Sequence, residues 1–283
     1  MISAVPPLRP ILKWAGAKTR LVPHIRALVP VGPNRLVEPF VGSGAVALNL
    51  GFSKNLLADA NPDVIAVYDL LAARPARFVR DCEELFTPQH NTREAFSRLR
   101  EEFNASRDCA RRACIFVYLN RHGYNGLCRY NKNGGFNVPF GRYTKPRFPV
   151  QEFAAFREFL KRADLRCADF RAILAESGRG DFVYCDPPYS PMSATANFTG
   201  YARGGFSHQD QLDLVRACQD AAARGAFVVV SNHDTPATRK LYAGANRLVE
   251  LQVSRLISCD GANRNKAAEL LVVYSPESAA IAQ

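Results

Sequence analysis

The chain has 283 residues, 47% of them hydrophobic, and a formal net charge of +11. That length buries a sizeable core, and no apolar run is long enough to span a bilayer, which excludes a membrane-spanning helix bundle. The N-terminus, Met1-Ile-Ser-Ala-Val-Pro-Pro, lacks a signal-peptide pattern, so a cytoplasmic protein is expected; the excess of positive charge favours a polyanionic partner and says nothing about fold.

In chain order, Ile11–Lys18 leads into a helical stretch from Thr19 to Leu28, and Arg35–Glu38 reads as a short strand. The run Pro39-Phe-Val-Gly-Ser-Gly-Ala is a glycine loop opening a helix to Leu50. Asn55–Ala58 is the second strand, ending in Asp59. Asn61-Pro62 combines an N-cap with proline at the first helical position, starting a helix to about Ala72. Helical patterns follow over 74–85, 91–103 and 107–121, with Asn91 and Glu94 spaced as a capping box. Residues 122–149 break the pattern with Gly, Asn and aromatics, and 131–136 reads as a hairpin. Alternation then resumes: a helix over 151–163, strands over 165–168 and 181–185, a helix over 209–224, a strand over 226–231, a helix over 236–243, and closing strands over 247–253 and 268–274. This order predicts an α/β fold, a mostly parallel sheet with helices on both faces. Residues 1–60 and 146–283 form the sheet domain, and 61–145 an inserted helical and hairpin domain.

Four stretches carry chemistry. Gly42-x-Gly44-x-x-Ala47 after a strand fits close backbone approach to a nucleotide-type ligand, with Asp59 placed to accept from ribose hydroxyls; a plain strand-to-helix turn would use the same glycines. A dinucleotide enzyme would need a second such half, and none is found. Lys13-Trp14-Ala15-Gly16-Ala17-Lys18 suits clamping an adenosine cofactor, although core packing also explains Trp14 and solvation the lysines. In Arg121-His-Gly-Tyr-Asn-Gly-Leu-Cys-Arg-Tyr-Asn131, Tyr124 and Tyr130 suit base stacking, Asn125 and Arg129 base edges, and Arg121 a phosphate. Leu127 suits wedging between base pairs, or else covering the core. Arginines cluster from Arg93 to Arg147 around these aromatics, which favours nucleic acid over a solvated surface.

The fourth stretch, Asp181-Phe-Val-Tyr-Cys-Asp-Pro-Pro-Tyr189, is a buried strand stopped by two prolines that have no N–H. It leaves a carboxylate at Asp186, a bare carbonyl at Pro187 and an aromatic face at Tyr189, which suits a planar ring bearing an amino group. Ser231-Asn-His-Asp234 ends a strand on the same sheet edge. His233 suits a general base, or a structural role beside a helix-capping Asp234. The eight cysteines never fall as C-x-x-C, and neither G-x-S-x-G nor H-E-x-x-H occurs, so neither a metal nor a covalent nucleophile is expected.

Taken together, LKWAGAK (12–18), VEPFVGSG (37–44), YLNRHGYNGLCRYN (118–131), FNVPFGRY (136–143), YCDPPYSPMSATANFT (184–199) and SNHDT (231–235) make the chain resemble the DNA adenine-N6 methyltransferases of the Dam type, α group and D12 class. The resemblance runs from about Leu12 to Tyr274. It implies a Rossmann-like methyltransferase sheet with an inserted target-recognition domain, and methyl transfer from S-adenosylmethionine, without a metal, to N6 of a flipped adenine in double-stranded GATC. It further implies cofactor contacts at Trp14, Ala15, Lys18, Glu38, Phe40, Gly42, Gly44, Asp59 and Asp186, and chemistry at Asp186, Pro187 and Tyr189. DNA contacts are implied at Lys13, Arg121, Tyr124, Asn125, Leu127, Arg129, Asn131 and Pro139, with Arg100, Arg142 and Tyr143 on phosphates. The protein is expected to be monomeric and nucleoid-associated. Three departures stand out: Ala17 replaces a glycine, His122 a tyrosine, and Thr144 a lysine. A catalytically dead DNA-binding regulator is the competing reading, and the intact D-P-P-Y argues against it.

Overall fold

A computed structural model describes residues 7–189, 205–254 and 266–276; Ser190–Thr199 of the motifs above and Cys259 lie outside them. The strands are β1 (Arg35–Glu38), β2 (Lys54–Asp59), β3 (Ala163–Cys167), β4 (Asp181–Cys185), β5 (Phe227–His233), β6 (Arg247–Ser254) and β7 (Lys266–Tyr274). They form one sheet in the order β3-β2-β1-β4-β5-β7-β6. The first five run parallel, and β7 lies antiparallel between β5 and β6. The chain therefore winds outward in one direction from β1 and in the other from β4. At such a reversal the loops part, leaving a crevice outside the carboxyl ends of the strands.

Both faces of this sheet are buried, which is why its central strands read as near-continuous apolar runs. Alternation along each strand divides the core in two. Leu36, Leu57, Phe182, Tyr184, Phe227 and Val229 face one side, covered by α1 (Val22–Ala27), α2 (Ala45–Leu50), α3 (Pro62–Ala73), α6 (Cys109–His122) and α7 (Val150–Leu160). Val37, Leu56, Val183, Cys185, Val228 and Val230 face the other, covered by α8 (Phe170–Ala175) and α9 (His208–Ala223), with Leu241 of α10 (Pro236–Leu241) packed against them.

Between β2 and β3 the chain leaves the sheet for α3, α4 (Pro75–Glu83), α5 (Arg93–Ala105), α6 and the hairpin region, returning through α7. Asn61 caps α3 as expected, accepting from the Asp63 N–H at 2.9 Å. α3 packs on β2 and β3 as well as on α6, so sheet and insert share one hydrophobic cluster. The insert is also tied within itself by a polar knot. Arg112 donates twice to Asp63, at 2.8 and 3.0 Å, and the Tyr130 hydroxyl donates to the same carboxylate at 2.7 Å.

Several boundaries differ from expectation. Thr92, not Asn91, caps α5, accepting from Ala95 N–H at 3.1 Å. Asn91 closes the preceding 3-10 turn, and its amide donates instead to the carbonyls of Tyr143 and Thr144. α10 is capped by Thr235 in a capping box with Thr238, while Asp234 pairs with Arg239 at 2.6 Å. α7 stops at Leu160 because the chain from Arg162 is already pairing with β2. The hairpin at 131–136 is a tight turn held by one bridge, Tyr130 to Phe136, without extended strands.

Replacing Arg112 with alanine leaves the Asp63 carboxylate buried without its cation. Urea unfolding is expected to show a loss of about 3 kcal/mol, the usual scale for breaking one side of a buried pair.

Candidate active site

The carboxyl ends of the parallel strands deliver the site. Glu38 closes β1, Asp59 closes β2, Asp186 follows β4, and Ser231 to His233 end β5. Three carboxyl groups thus stand on three strands that neighbour one another in the sheet. Like charges so close are unfavourable, and a cation answers them. The Lys18 ammonium lies 3.1 Å from Asp186 Oδ1 and 3.3 Å from Oδ2, and also donates to Gly16 O at 2.6 Å. Lys18 is buried, so this pair joins the N-terminal segment to the strand end 168 residues away.

Asp186 is held from a second side by the Ser231 hydroxyl, which donates to Oδ1 at 2.8 Å. Beyond the two prolines, Tyr189 is fixed at three points. Its hydroxyl donates to Glu269 Oε2 at 3.0 Å, its ring meets His233 edge-on at 4.4 Å, and Lys18 Nζ sits 4.5 Å from the ring centre. The Gln211 amide donates to Pro188 O at 3.1 Å, so α9 also holds the turn.

Beside Asp186 is a backbone cradle. Gly42 and Gly44 have φ of 46° and 68°, a region that side chains resist. A Cβ on Gly42 would stand 2.8 Å from Trp14 Nε1, and one on Gly44 would stand 2.7 Å from the Phe156 ring. The Gly42 N–H donates to Asp59 Oδ2 and the Asn61 N–H to Oδ1, both at 2.9 Å, so the loop is hung from the end of β2. Phe40 stacks on Phe170 at 5.3 Å below. Burial pushes the Asp59 carboxyl up to about 6 against these two N–H groups. Burial, with the Asp186 charge beside it, pushes Glu38 well above the usual carboxylate range. Its Oε1 is buried with no hydrogen-bond partner among the described residues. A buried polar atom wanting a partner, a loop with no room for a Cβ, and a carboxylate at the neighbouring strand end fit an adenosine-type cofactor. The cradle gathers Trp14, Lys18, Glu38, Gly42, Gly44, Asp59 and Asp186, with Ala15 on the same N-terminal segment.

The expected DNA-reading residues occupy an adjoining surface. Asn120 clips the N-terminal segment to α6, accepting from Lys13 N–H at 2.8 Å and donating to Lys13 O at 2.7 Å. Lys13 Nζ lies 4.2 Å from the Tyr143 ring centre. Burial and then the Arg121 charge lower its pKa. Tyr124 stands out from the loop, 45% exposed, with its N–H bonded to Pro139 O at 2.8 Å; Asn125 beside it holds φ of 52°. Arg129 is already braced, donating to Asn137 Oδ1 at 2.8 Å and Asn137 O at 3.2 Å, and Arg100 donates to Val138 O at 3.3 Å. Arg142 is exposed with φ of 53°.

Three residues stand elsewhere than expected. Arg121 is buried, and its guanidinium donates to Ile11 O, because α6 passes beneath the N-terminal segment and its side chain points inward. Burial lowers its pKa to about 10. Tyr130 is not available for stacking, since its ring lies in the core and its hydroxyl is spent on Asp63. Asn131 is exposed, but its side-chain carbonyl accepts from Asn133 and Gly135 to close the turn. Leu127 is half-buried and packs on the core. Sequence reasoning passed over Asn120, Asn137 and Glu269. Only Glu269 left a signal, a lone carboxylate ahead of the apolar run Leu270-Leu-Val-Val273.

Residues 14–255 match the family model described as D12 class N6 adenine-specific DNA methyltransferase. The chain is 48% identical over 269 residues to a DNA adenine methylase of Vibrio cholerae serotype O1, covering 95% of this chain and 96% of that protein. It is 47% identical over 268 residues to the DNA adenine methylase of Escherichia coli K12, at the same coverage of 95% and 96%. Among solved structures, the rRNA methyltransferase aviRa of Streptomyces viridochromogenes aligns with a TM-score of 0.37 at 16% identity, covering 90% of this chain and 84% of that one.

One departure makes this surface sensitive to acid. His122, at the end of α6, is buried against Tyr118 with ring centres 4.0 Å apart, and its Nδ1 bonds Tyr118 O at 3.0 Å. Burial pushes it down to about 4, from 6.5 when solvated. The unfolded chain therefore binds the proton first, and this contribution to stability is present above pH 6.5 and lost as pH falls towards 4. A His122→Tyr variant is expected to flatten the fall of the urea midpoint across that window. An unchanged slope would remove His122 as its source.

Proposed function

The chain belongs to the D12 class N6 adenine-specific DNA methyltransferases, and from that premise we propose that it methylates adenine in double-stranded GATC with S-adenosylmethionine as the donor. The observation that carries the reading at atomic level is the strand end at Asp186, where a positioned carboxylate, a proline carbonyl and a braced tyrosine ring stand together beside the Gly42 cradle. When bound, S-adenosylmethionine supplies a methyl group activated on a sulfonium. Trp14, Ala15, Lys18, Glu38, Phe40, Gly42, Gly44, Asp59 and Asp186 are the residues that would hold it.

Adenine N6 is a poor nucleophile because its lone pair is delocalised into the ring. Asp186 and the Pro187 carbonyl accept from its two hydrogens and draw that lone pair out of the ring. The carboxylate is already oriented, so it stabilises the positive charge that develops on N6 without reorganising first. Tyr189 stacks on the base and sets the plane in which N6 presents itself. Reaching this cradle requires the adenine to leave the duplex, at a cost on the order of a few kcal/mol. Tyr124 is the exposed aromatic on the recognition loop, and it offsets part of that cost by stacking in the opened helix.

Lys13, Asn125, Leu127, Arg129 and Pro139 read or distort the site, and Arg100, Arg142 and Tyr143 hold phosphates. Asn137 keeps the Arg129 guanidinium extended for a base edge, so little side-chain freedom is lost on binding. Arg121 contributes indirectly, by fixing the segment that carries Lys13 and Lys18. Residues 61–145 act as the recognition domain, and a monomer is the working unit.

Expression in a host lacking adenine methylation, followed by sequencing of methylated bases, is expected to place N6-methyladenine in GATC; marks at another motif would overturn the specificity. Asp186→Ala is expected to abolish methyl transfer while duplex binding persists. Arg129→Ala should cost about 1–3 kcal/mol of discrimination at one base pair, as a bidentate base contact does. A uniform weakening on all duplexes would instead mark Arg129 as a phosphate contact.

A further inference from the structure

Behind Asp186 runs a chain of hydroxyls that the reading above does not use. The Tyr184 hydroxyl donates to Ser231 Oγ at 3.0 Å, and Ser231 Oγ donates to Asp186 Oδ1 at 2.8 Å. The next acceptor of the serine proton, Cys185 O, is farther away at 3.4 Å. Both hydroxyl residues are buried, with Ser231 at 0% and Tyr184 at 3% exposure. Both donors are thus shielded from solvent, while the Asp186 side chain is 23% exposed.

The fold dictates this arrangement. β4 and β5 are parallel and in register with Cys185 opposite Val230, so the next step sets Asp186 beside Ser231. Tyr184 lies two residues before Asp186 and so projects to the same side of the strand as the end of the cradle. Because a hydroxyl has one hydrogen, the direction of the chain is fixed. Tyrosine gives to serine, which frees the serine proton for the carboxylate. Burial, with the Asp186 charge next, pushes the Tyr184 hydroxyl well above its ordinary pKa, so it stays a donor throughout the working range.

We infer that Ser231, oriented by Tyr184, is a positioning residue for methyl transfer that pins Oδ1 of Asp186 and so turns Oδ2, which also accepts from Lys18 at 3.3 Å, towards the target amino group. This rests on the assignment of Asp186 as the acceptor for that group. A carboxylate held only by Lys18 would be free to turn about its Cβ–Cγ bond, because an ammonium is a point charge without directional preference. With the Ser231 bond the rotation is stopped, and the second lone pair of Oδ2, beside the one that meets Lys18, points one way before substrate arrives. The role is one of angle, so it bears on turnover and not on binding.

Turnover of purified full-length Ser231→Ala, Ser231→Thr and Tyr184→Phe on a GATC duplex tests this. Ser231→Ala is expected to lower kcat on the order of tenfold to a hundredfold, the worth of a hydrogen bond to a charged group, with KM for duplex and for S-adenosylmethionine within twofold. Ser231→Thr, which keeps the hydroxyl, is expected to restore most of the turnover, and Tyr184→Phe to fall between them. Undiminished kcat in Ser231→Ala, or a failure of Ser231→Thr to recover while its thermal midpoint matches the parent, would overturn the inference. The assignment of Asp186 is separately exposed: if Asp186→Ala turns over normally, the acceptor reading fails whatever Ser231 does. If Asp186→Ala is inert and Ser231→Ala is unimpaired, only the positioning role fails.

Discussion

One ammonium group joins the N-terminal segment to the end of β4. Lys18 meets Asp186 across 168 residues of sequence, and it does so inside a site that already holds Glu38 and Asp59. Without a cation there, three carboxyls at neighbouring strand ends would repel one another in a poorly solvated crevice. The protein meets this in two ways. Burial, with the Asp186 charge beside it, raises the Glu38 pKa well above the usual carboxylate range, and the Lys18 ammonium stands against Asp186.

The same N-terminal segment reaches the surface around Tyr124 and Tyr143. Lys13 is clipped to α6 by both hydrogen bonds of Asn120 and lies over Tyr143, while Lys18, five residues on, is held by Asp186 at the end of β4. Gly126 closes against it so tightly that a Cβ would stand 2.4 Å from that of Lys13. The loop that carries Tyr124 and the Gly42 cradle are thus separated by one short, braced stretch of chain. Buried Arg121 is best understood here. Its charge is spent on backbone carbonyls because that stretch has no regular structure of its own to satisfy them.

Much of this was legible in the sequence because it depends on period and on local chemistry. Parallel strands buried on both faces announce themselves as apolar runs, and a strand that ends in two prolines has to stop where it does. The glycines of the cradle, Asn61 before Pro62, and the exposed Tyr124 follow equally local rules. What sequence could not carry was direction and partnership. Arg121 and Tyr130 belong to a loop-and-helix segment rich in base-reading residue types, and their types say nothing about which side of the backbone faces the core. Asn91 and Thr92 are both good caps, and the preceding turn decided between them. Ser231 meets Asp186 only because two strands 45 residues apart share a register, a relation that neither stretch encodes alone.

Tyr189 shows what such partnerships add. A tyrosine following two prolines has a stiff backbone but a free ring, and a free ring would lose entropy on stacking. Here the hydroxyl is tied to Glu269 on β7, the strand that runs antiparallel to β5. His233, at the end of β5, closes on the ring's edge, and Lys18 lies over its face. Three elements from distant parts of the sequence therefore set the plane of one aromatic group before any base arrives. The carboxylate next to it is set in the same way, by β5 and the N-terminal segment. Geometry of this kind costs the substrate little on entry, because the protein ordered both groups when it folded.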